Sequence, residues 1–331
     1  MNLNNNKSKI ADNILSTIGK TPLVKLRNLY PTAKINLFGK MEAHNPGGSI
    51  KDRTALNILK KAFGEGKIKK GDTIIESSSG NMAIGLAQAC KLFGLKLIIV
   101  VDPNVNIQNV RILKTYGATI DYVKKPALVG GFLTARINRV NELLQLTPNS
   151  FWTNQYGNPD NPNAHRQTIS EIVEALDGKL DYLFVATSTC GTLMGCATYC
   201  EEQNLSTKVI GVDAVGSVIF GTPPAKRLIP GHGAGQKSQF LKEELIADAV
   251  HVTDEDCVVG CHRLLNREAI LSGGSSGAIV RAVEEYLPMI PFGSNCVMIL
   301  CDRGERYLDT IYNPKWVDEH IYPTLSRIKR A

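Results

Sequence analysis

A lysine stands at the start of a predicted helix, a position where its amine can be chemically active. Residues 45–53 read NPGGSIKDR, in which a proline and two glycines predict a tight turn and Ser49 can cap the helix that follows. Lys51 then falls in the first helical turn, where the partial positive charge of a helix N-terminus tends to lower the pKa of an amine. An amine with a lowered pKa suits Schiff-base chemistry. The alternative interpretation is a capped helix that carries an exposed lysine.

Three further segments are rich in serine, threonine and glycine. Residues 76–81 (ESSSGN) and 187–192 (TSTCGT) each follow a strand-like run and precede a helical one. Because backbone N–H groups and hydroxyls at a helix start bind anions, we predict a carboxylate site in the first and a phosphate site in the second. An ordinary helix cap is the alternative for the first, and Cys190 is interpreted as a small residue of the second. The third segment, 272–277 (SGGSSG), is a weak signal alone, and residues 231–235 (GHGAG) follow no strand, which argues against a dinucleotide-binding motif.

The composition is that of an ordinary globular protein. Of the 331 residues 43% are hydrophobic, enough to build a core, and the length predicts about two domains. The net charge of +7 comes from dispersed basic residues, which favours solvated surfaces over nucleic-acid binding. No apolar run approaches the ~18 residues of a membrane span, and the polar N-terminus lacks a secretory signal. The 8 cysteines form no C-x-x-C pair, so we expect no metal site and a cytoplasmic protein with reduced, buried thiols.

The elements that must position these segments alternate between strand and helix. Strand-like apolar runs occur at residues 73–76, 95–102, 118–124, 180–188, 208–213 and 295–302. Runs with helical spacing follow several of them, which is typical of an α/β fold with parallel sheets covered by helices. Ligands bind beyond the carboxyl ends of such strands. Residues 148–163 predict a crossing between domains, and the irregular loop 215–239 is long enough to be functional.

Taken together, these motifs resemble those of the fold-type II pyridoxal-phosphate enzymes, which include the cysteine synthases and cystathionine β-synthases. The segment NPGGSIKDR at 45–53, followed by SSGN at 78–81, carries the resemblance. Further motifs match at TPLV (21–24), GSSGA (274–278) and GERYL (304–308). The resemblance therefore covers most of the chain, and the order of the motifs makes it specific.

The resemblance implies two domains, each an open, mostly parallel sheet flanked by helices. A smaller, mobile domain of residues 46–150 would carry the Schiff-base lysine and the carboxylate loop. A larger domain of residues 1–45 and 151–331 would carry the sites for the cofactor phosphate and the pyridine nitrogen. The resemblance further implies pyridoxal 5′-phosphate as cofactor, small amino-acid substrates and a homodimer.

Carried over position by position, the family's roles assign a cofactor site. Lys51 would hold the cofactor through a Schiff base and act as general base, and Asn81 would hydrogen-bond the ring hydroxyl. The cofactor phosphate would be cradled by Ser188, Thr189, Cys190, Gly191 and Thr192. Ser275 would face the pyridine nitrogen, and a serine there leaves that nitrogen largely neutral, which favours β-elimination over transamination.

The same comparison of positions assigns a substrate site. The α-carboxylate would be bound by Ser78, Ser79, Asn81 and Gln155. A phosphate leaving group requires additional positive charge, for which Arg136 is the candidate, with Tyr156 as a neighbouring hydroxyl donor. The alternative interpretation of Arg136 is an arginine on the surface of a helix.

Within the family, residues 188–192, 212–221 and 302–309 resemble most closely the enzymes that join O-phospho-L-serine to L-glutamate by β-replacement, through an aminoacrylate. Their product is a precursor of 2,3-diaminopropionate in siderophore biosynthesis. Ordinary cysteine synthases have Gly-Thr-Gly-Gly-Thr in the phosphate loop, whereas this chain has Ser188 and Cys190 at two of the glycine positions. A cysteine synthase or cystathionine β-synthase remains an alternative, because the cofactor motifs are shared. A regulatory or haem-sensing protein without turnover is a further alternative.

Overall fold

The computed structural model describes residues 10–322, which form two β-sheets flanked by helices. The strands are β1 (Leu23–Lys25), β2 (Asn36–Met41), β3 (Thr73–Ser77), β4 (Lys96–Val101), β5 (Thr119–Tyr122), β6 (Ser150–Trp152), β7 (Tyr182–Ala186), β8 (Lys208–Ala214), β9 (Asp248–Val252) and β10 (Asn295–Leu300). The α-helices are α1 (Lys51–Gly64), α2 (Asn81–Phe93), α3 (Ile107–Thr115), α4 (Gly131–Leu146), α5 (Asp160–Ala175), α6 (Gly191–Glu202), α7 (Asp254–Glu268), α8 (Gly274–Tyr286) and α9 (Pro314–His320). Within residues 10–322, no helix has the length and apolar character needed to cross a membrane.

The two sheets are almost entirely parallel. One has six strands in the order β1-β2-β10-β7-β8-β9, and the other has four in the order β5-β4-β3-β6. Each neighbouring pair is parallel except β1 with β2, which is antiparallel. Parallel strands need crossover connections, and helices supply most of them here. The predicted α/β class with two parallel-sheet cores is therefore confirmed.

The inner strands are buried because their sequences are continuous apolar runs. Strand β3 (TIIES) is buried at every position, and β10 (NCVMIL) at every position but its first. Such runs are expected where helices cover both faces of a parallel sheet. Helix ends follow local signals as well: a capping box between Thr253 and Asp256 starts α7, and Gly94, in the left-handed conformation, ends α2. Burial in the core therefore determines the positions of the strands, and the capping residues determine where the helices begin and end.

The carboxyl ends of three strands lead into the segments that carry chemistry. Strand β3 leads into α2 and β7 into α6, through the two segments for which anion sites are predicted. The end of β10 is joined to the other two segments by isolated bridges, Ser49 with Asp302 and Ser272 with Arg303. These pairings bring the starts of α1 and α8 to the end of β10. Sheet topology therefore assembles the site from residues that are distant in sequence.

Parts of the predicted organisation differ from the structure. Residues 148–163 were expected to be irregular, but they contain β6 and the start of α5, because Phe151 and Trp152 extend the sheet beside β3. The four-stranded sheet thus continues just past residue 150, where the smaller domain was expected to end, and the division into domains stays a prediction. The sequence patterns also failed to predict β2, β9, α5 and α7. The loop 215–239 contains neither helix nor strand, as predicted.

A buried ionic cluster connects the helix that starts at Lys51 with the six-stranded sheet. Arg53 donates to Glu42 and to Glu171, with Nε–Oε2 and Nη2–Oε2 distances of 2.8 and 2.7 Å. Lys40, in β2, reaches the same oxygen of Glu171 at 2.6 Å. Burial raises the pKa of Glu171, but the hydrogen bonds and charge of Arg53, together with Lys40, hold that pKa at about 2. Glu171 therefore stays ionised, and its bonds fix α1 against β2 and α5.

Candidate active site

A cavity of about 230 Å³ lies among the segments that follow β3, β6 and β7. Predicted site residues that line it are Lys51, Ser78, Ser79, Asn81, Arg136, Gln155, Tyr156 and Ser188. Other wall residues are Asn104, Asn106, Asn109, Leu133, Pro230, Gly231 and Tyr307. A larger hollow of about 890 Å³ beside α1 contains none of the predicted site residues. The chemistry of the walls therefore identifies the smaller cavity as the candidate active site.

Lys51 is the first residue of α1, and its side chain reaches the cavity. Its backbone N–H donates to Ser49 Oγ at 3.2 Å. Ser49 therefore supports the helix start, although the cap position itself belongs to Ile50, which corrects the sequence-based expectation. Burial lowers the pKa of Lys51, and the nearby groups of Cys301, Cys190 and Asp302 oppose that shift. The amine accordingly loses its proton more readily than an ordinary lysine, as a nucleophile or base requires.

The loop between β3 and α2 forms one wall of the cavity. Helix α2 has Gly80 at its N-cap position and no side-chain cap, so its first N–H groups are not occupied by a local acceptor side chain. The loop is held from α3, because Asn109 donates through Nδ2 to the backbone oxygen of Ser79 at 3.0 Å. Ser78 and Ser79 add hydroxyls to the same wall. An uncapped helix start with adjacent hydroxyls suits a carboxylate.

Asn81 is held by an aspartate that the sequence analysis did not identify. Its Nδ2 donates to Asp302 Oδ2 at 2.7 Å, and the Tyr307 hydroxyl donates to the same oxygen at 2.6 Å. Arg306 donates to the amide oxygen of Asn81. Burial raises the pKa of Asp302, while the hydrogen bonds of Tyr307 and Asn81 oppose the shift. The position of Asp302 after the apolar run of β10 was the one signal available, because that is where a parallel sheet places functional groups.

The segment 187–192, which follows β7, presents Ser188 to the cavity and buries its other five members. Cys190 has φ of 63°, a left-handed conformation that favours glycine, and it directly precedes α6. A Cβ atom at Gly191 would lie 2.1 Å from Asn161 Oδ1, so only glycine fits there. Asn161 also donates to Thr189 Oγ1 at 3.0 Å. Thr192 contacts the ring of His165, with a distance of 3.3 Å between Oγ1 and Nε2.

A buried glutamate organises the wall that contains Gln155 and Tyr156. Glu76, in β3, accepts from the Thr153 hydroxyl at 2.5 Å and from the Gln155 N–H at 3.2 Å. It also accepts from the N–H of Ser77 at 2.7 Å. Burial raises the pKa of Glu76, and these hydrogen bonds oppose the shift. The carboxyl group thereby joins the end of β6 to the carboxylate loop and positions Gln155 at the cavity.

Arg136 lies at the cavity rather than on an outer helix surface. Its Nη1 donates to Asp102 Oδ2 at 2.7 Å, while its Nε is buried and has no hydrogen-bond partner among the described residues. Tyr156 is close to it: burial raises the pKa of Tyr156, and both the hydrogen bond with Ser188 and the charge of Arg136 act to lower it. A guanidinium and two hydroxyls therefore share one region of the wall, a combination that suits a phosphate group.

Ser275 is a predicted site residue that lies close to Lys51 without forming part of the cavity wall. It lies in the first turn of α8, is buried, and does not line the cavity. Its hydroxyl contacts the thiol of Cys301, and Cys301 is in turn close to Lys51. Ser275 thus reaches Lys51 through one intervening residue, at the base of the site.

The donors present fit the cofactor that the resemblance implies. A buried lysine with a lowered pKa can form a Schiff base, and the start of α6 offers N–H groups and hydroxyls to a phosphate. The space at Gly191, which a Cβ atom would close, agrees with a cradle that has to approach its ligand closely. Asn81 and Ser275 provide neutral hydrogen-bonding groups rather than carboxylates.

Comparison with known proteins agrees with this chemistry. A family model described as pyridoxal-phosphate dependent enzyme matches residues 14–302. The N-(2-amino-2-carboxyethyl)-L-glutamate synthase of Ralstonia nicotianae is 45% identical over 309 residues, covering 93% of this chain and 91% of that protein. A solved hydrogen sulfide-producing enzyme from Fusobacterium nucleatum is 32% identical with a TM-score of 0.85, covering 90% of this chain and 100% of that one. An O-acetylserine dependent cystathionine β-synthase from Helicobacter pylori is 31% identical with a TM-score of 0.85, covering 92% and 99%. The chain therefore belongs to the pyridoxal-phosphate-dependent enzymes, as a fold-type II member that synthesises β-substituted alanines.

Proposed function

We propose that this enzyme joins O-phospho-L-serine to L-glutamate and releases phosphate, with N-(2-amino-2-carboxyethyl)-L-glutamate as product. The observation that carries the proposal is the position of Arg136, which lies in the cavity wall with Tyr156 and Ser188 and near Lys51. A guanidinium and two hydroxyls match a phosphate leaving group better than a neutral acetyl group. The 45% identical relative is named for the same product, N-(2-amino-2-carboxyethyl)-L-glutamate, which supports glutamate as the nucleophile.

The roles of the chain's residues follow from their places in the site. Ser78, Ser79, Asn81 and Gln155 hold the α-carboxylate of the amino acid, so that its α-proton faces the amine of Lys51. Lys51 removes that proton as general base and later returns one to the product. Arg136 and Tyr156 receive the departing phosphate and offset its charge. Glutamate then supplies its amino group as the nucleophile that replaces phosphate on the β-carbon.

Pyridoxal phosphate, when bound, supplies the electron-withdrawing ring that makes the α-proton acidic. Lys51 would hold its aldehyde carbon, and Ser188, Thr189, Cys190, Gly191 and Thr192 would hold its phosphate. Asn81 would contact the ring hydroxyl and Ser275 the ring nitrogen. We further infer a homodimer, which the resemblance to the cysteine synthases supports and which sedimentation of the purified protein would test.

A sulfur nucleophile is the second candidate. The supporting observation is structural: the two solved relatives, one hydrogen sulfide-producing and one an O-acetylserine dependent cystathionine β-synthase, share the fold with TM-scores of 0.85. The distinction lies in the pair of substrates, since the cofactor residues are common to both candidates.

The experiment that separates the two candidates combines two donors with two nucleophiles. The purified enzyme with pyridoxal phosphate is incubated with O-phospho-L-serine or O-acetyl-L-serine, each with L-glutamate or sulfide, and products are identified by mass spectrometry. We expect the glutamate adduct from O-phospho-L-serine as the main product. Cysteine as the main product, formed preferentially from O-acetyl-L-serine, would overturn the proposal.

A further inference from the structure

The loop 215–239 contributes to the cavity wall and contains charged and titratable residues that have no role in the proposed reaction. Pro230 and Gly231 line the cavity. The loop is fixed beside the end of β7, because the N–H of Gly233 donates to the backbone oxygen of Thr187 at 2.7 Å. The N–H of Ala234 donates to Ser217 Oγ at 3.0 Å. These bonds hold the residues around Gly231 in a fixed position beside the cavity.

Two side chains of this loop carry buried nitrogen atoms without partners. Arg227 donates through Nη1 to the backbone oxygen of His232 at 3.2 Å, but its Nε has no partner within residues 10–322. The ring of His232 is 3% exposed, and neither of its nitrogen atoms has a hydrogen-bond partner in the same part of the chain. A buried donor without an acceptor is costly, so such a group calls for a partner from outside the chain, such as a ligand or a bound water.

The charge of Arg227 is also less compensated than that of Arg136. Arg136 is paired with Asp102 at 2.7 Å, whereas no carboxylate pairs with Arg227 between residues 10 and 322. Asp254, the first residue of α7, accepts from the backbone N–H groups of Leu228 and Ile229 in this loop, at 2.8 and 3.1 Å. A guanidinium without a carboxylate partner is available to an anion from outside the chain.

The charge of Arg227 affects the pKa of Tyr156, a residue of the cavity wall. Burial raises the pKa of Tyr156, and after Ser188 and Arg136 the charge of Arg227 is among the causes that lower it. Burial lowers the pKa of His232 to about 4, and the charge of Arg227 acts in the same direction, so this ring is neutral. A neutral imidazole can donate one N–H to an anion beside the guanidinium.

We propose that Arg227, supported by the ring of His232, binds the side-chain carboxylate of the second substrate and so selects an acidic amino acid as nucleophile. This inference rests on the proposed function, and it names the group that recognises glutamate. The amine of glutamate must approach the substrate β-carbon near Lys51, while its side-chain carboxylate lies several bonds away. Arg227, which donates to the backbone oxygen of His232 beside the cavity-lining Gly231, is distinct from the Arg136 group that receives phosphate and satisfies both requirements.

The test compares Arg227→Gln with Lys226→Gln. Lys226 is the exposed neighbour in the same loop, so its replacement removes an equal charge from the same region. With O-phospho-L-serine as first substrate, we expect Arg227→Gln to raise the KM for L-glutamate by about 10- to 100-fold, the usual range for a lost hydrogen bond to a charged group. Lys226→Gln is expected to change it by less than about twofold.

L-glutamine, which lacks the side-chain charge, provides the readout that a general structural defect would not give. Arg227→Gln should leave the KM for glutamine and the KM for O-phospho-L-serine near the wild-type values, so that the preference for glutamate over glutamine collapses. Arg227→Lys, which keeps the charge, should retain part of the preference.

Each contrary result has a separate meaning. An unchanged KM for glutamate, an equal loss with glutamate and glutamine, or a raised KM for O-phospho-L-serine alone would overturn the inference while leaving the proposed function intact. A wild-type enzyme that uses sulfide but not glutamate would overturn the proposed function, and the inference with it.

Discussion

At the scale of single residues, two arginines on one helix should differ in function because they face different groups. Arg136 lines the cavity, whereas Arg139, on the same helix α4, pairs with Asp121 at 2.8 Å on a more exposed surface. We expect Arg136→Ala to raise the KM for O-phospho-L-serine by about 10- to 100-fold, because it removes a charge-assisted hydrogen bond to phosphate. Arg139→Ala should change it by less than about twofold. Steady-state kinetics with each donor provide the measurement.

O-acetyl-L-serine serves as the internal control for Arg136→Ala. It has no phosphate, so its turnover should fall much less than that of O-phospho-L-serine. An equal loss with both donors would show that Arg136 acts through Asp102 and the structure of the wall, and not on the leaving group.

A second residue-scale prediction concerns the pH dependence of stability. Burial raises the pKa of Asp52 to about 7, against an ordinary value of 3.8, and the hydrogen bond from Gly47 and the charge of Arg306 oppose that shift. Between these two values the folded state binds more protons than the unfolded state. The contribution of Asp52 is therefore complete below the lower value and is lost as pH rises through the upper one, by at most about 1.4 kcal/mol per pH unit.

The variant Asp52→Asn removes this titration. The free energy of unfolding of the variant relative to wild type should increase as pH rises from about 4 to about 7, as measured by urea denaturation at several pH values. Asp318→Asn, at an exposed position, controls for the loss of one negative charge. A constant difference between Asp52→Asn and wild type across this range would contradict the assignment.

At the scale of elements, the turn into α6 predicts different effects on stability for a glycine substitution at two cysteines. Cys190 is buried and has φ of 63°, whereas Cys196 is buried inside α6. Cys190→Gly relieves a left-handed strain of about 1 kcal/mol and should leave the free energy of unfolding within about 1 kcal/mol of wild type. Cys196→Gly should reduce it by about 1 to 3 kcal/mol, since it adds a cavity and a helix-interior glycine.

Denaturation of both variants, with Cys190→Val as a third, completes this test. A β-branched residue is poorly tolerated at positive φ, so Cys190→Val should lose on the order of 2 kcal/mol. Equal losses at positions 190 and 196 on substitution by glycine would show that the thiol of Cys190 stabilises by packing and that its backbone is unstrained.

The sequence predicts those parts of the site that depend on the local signals of single strands and helices. The loops after β3 and β7 were predictable, because an apolar strand, a cluster of serines and threonines, and a helical run are all local signals. Strand β6 was missed because it has three residues and gains its stability from pairing with β3. Asp302 was missed as a site residue for a related reason. A single aspartate has no characteristic spacing, and its role depends on contacts with Asn81 and Tyr307 that only the fold creates.

At the scale of the whole molecule, the ionic cluster around Arg53 should stabilise the packing of α1 against the six-stranded sheet. Arg53→Leu would leave Glu42, which is fully buried, without its cation. We expect a loss of about 3 to 5 kcal/mol in the free energy of unfolding. Arg166→Leu, which breaks an exposed pair with Glu202, should cost less than about 1 kcal/mol. Guanidinium denaturation of the two variants measures both quantities, and similar losses would argue against a structural role for the buried cluster.

The arrangement of the two sheets also explains why the sequence could not reveal the whole site. The cavity draws on α1, the ends of β3, β6 and β7, helix α4 and the loop 215–239. The contribution of Arg136 depends on α4 packing beside β3 and β4. That of Arg227 depends on the loop lying beside Thr187. Local sequence patterns show neither of these two packing arrangements, so the positions of Arg136 and Arg227 require the structure. Lys51 and its neighbours are identifiable from the family motifs alone.

The central claim is that glutamate replaces phosphate on the substrate β-carbon with Lys51 as general base. The most direct test is the visible spectrum of the enzyme with bound pyridoxal phosphate during sequential additions. We predict that O-phospho-L-serine shifts the cofactor absorption band and that L-glutamate, added next, restores it, while sulfide restores it poorly. Such alternation is the spectroscopic form of ping-pong kinetics. A shift produced only by O-acetyl-L-serine, and reversed by sulfide but not by glutamate, would contradict the account.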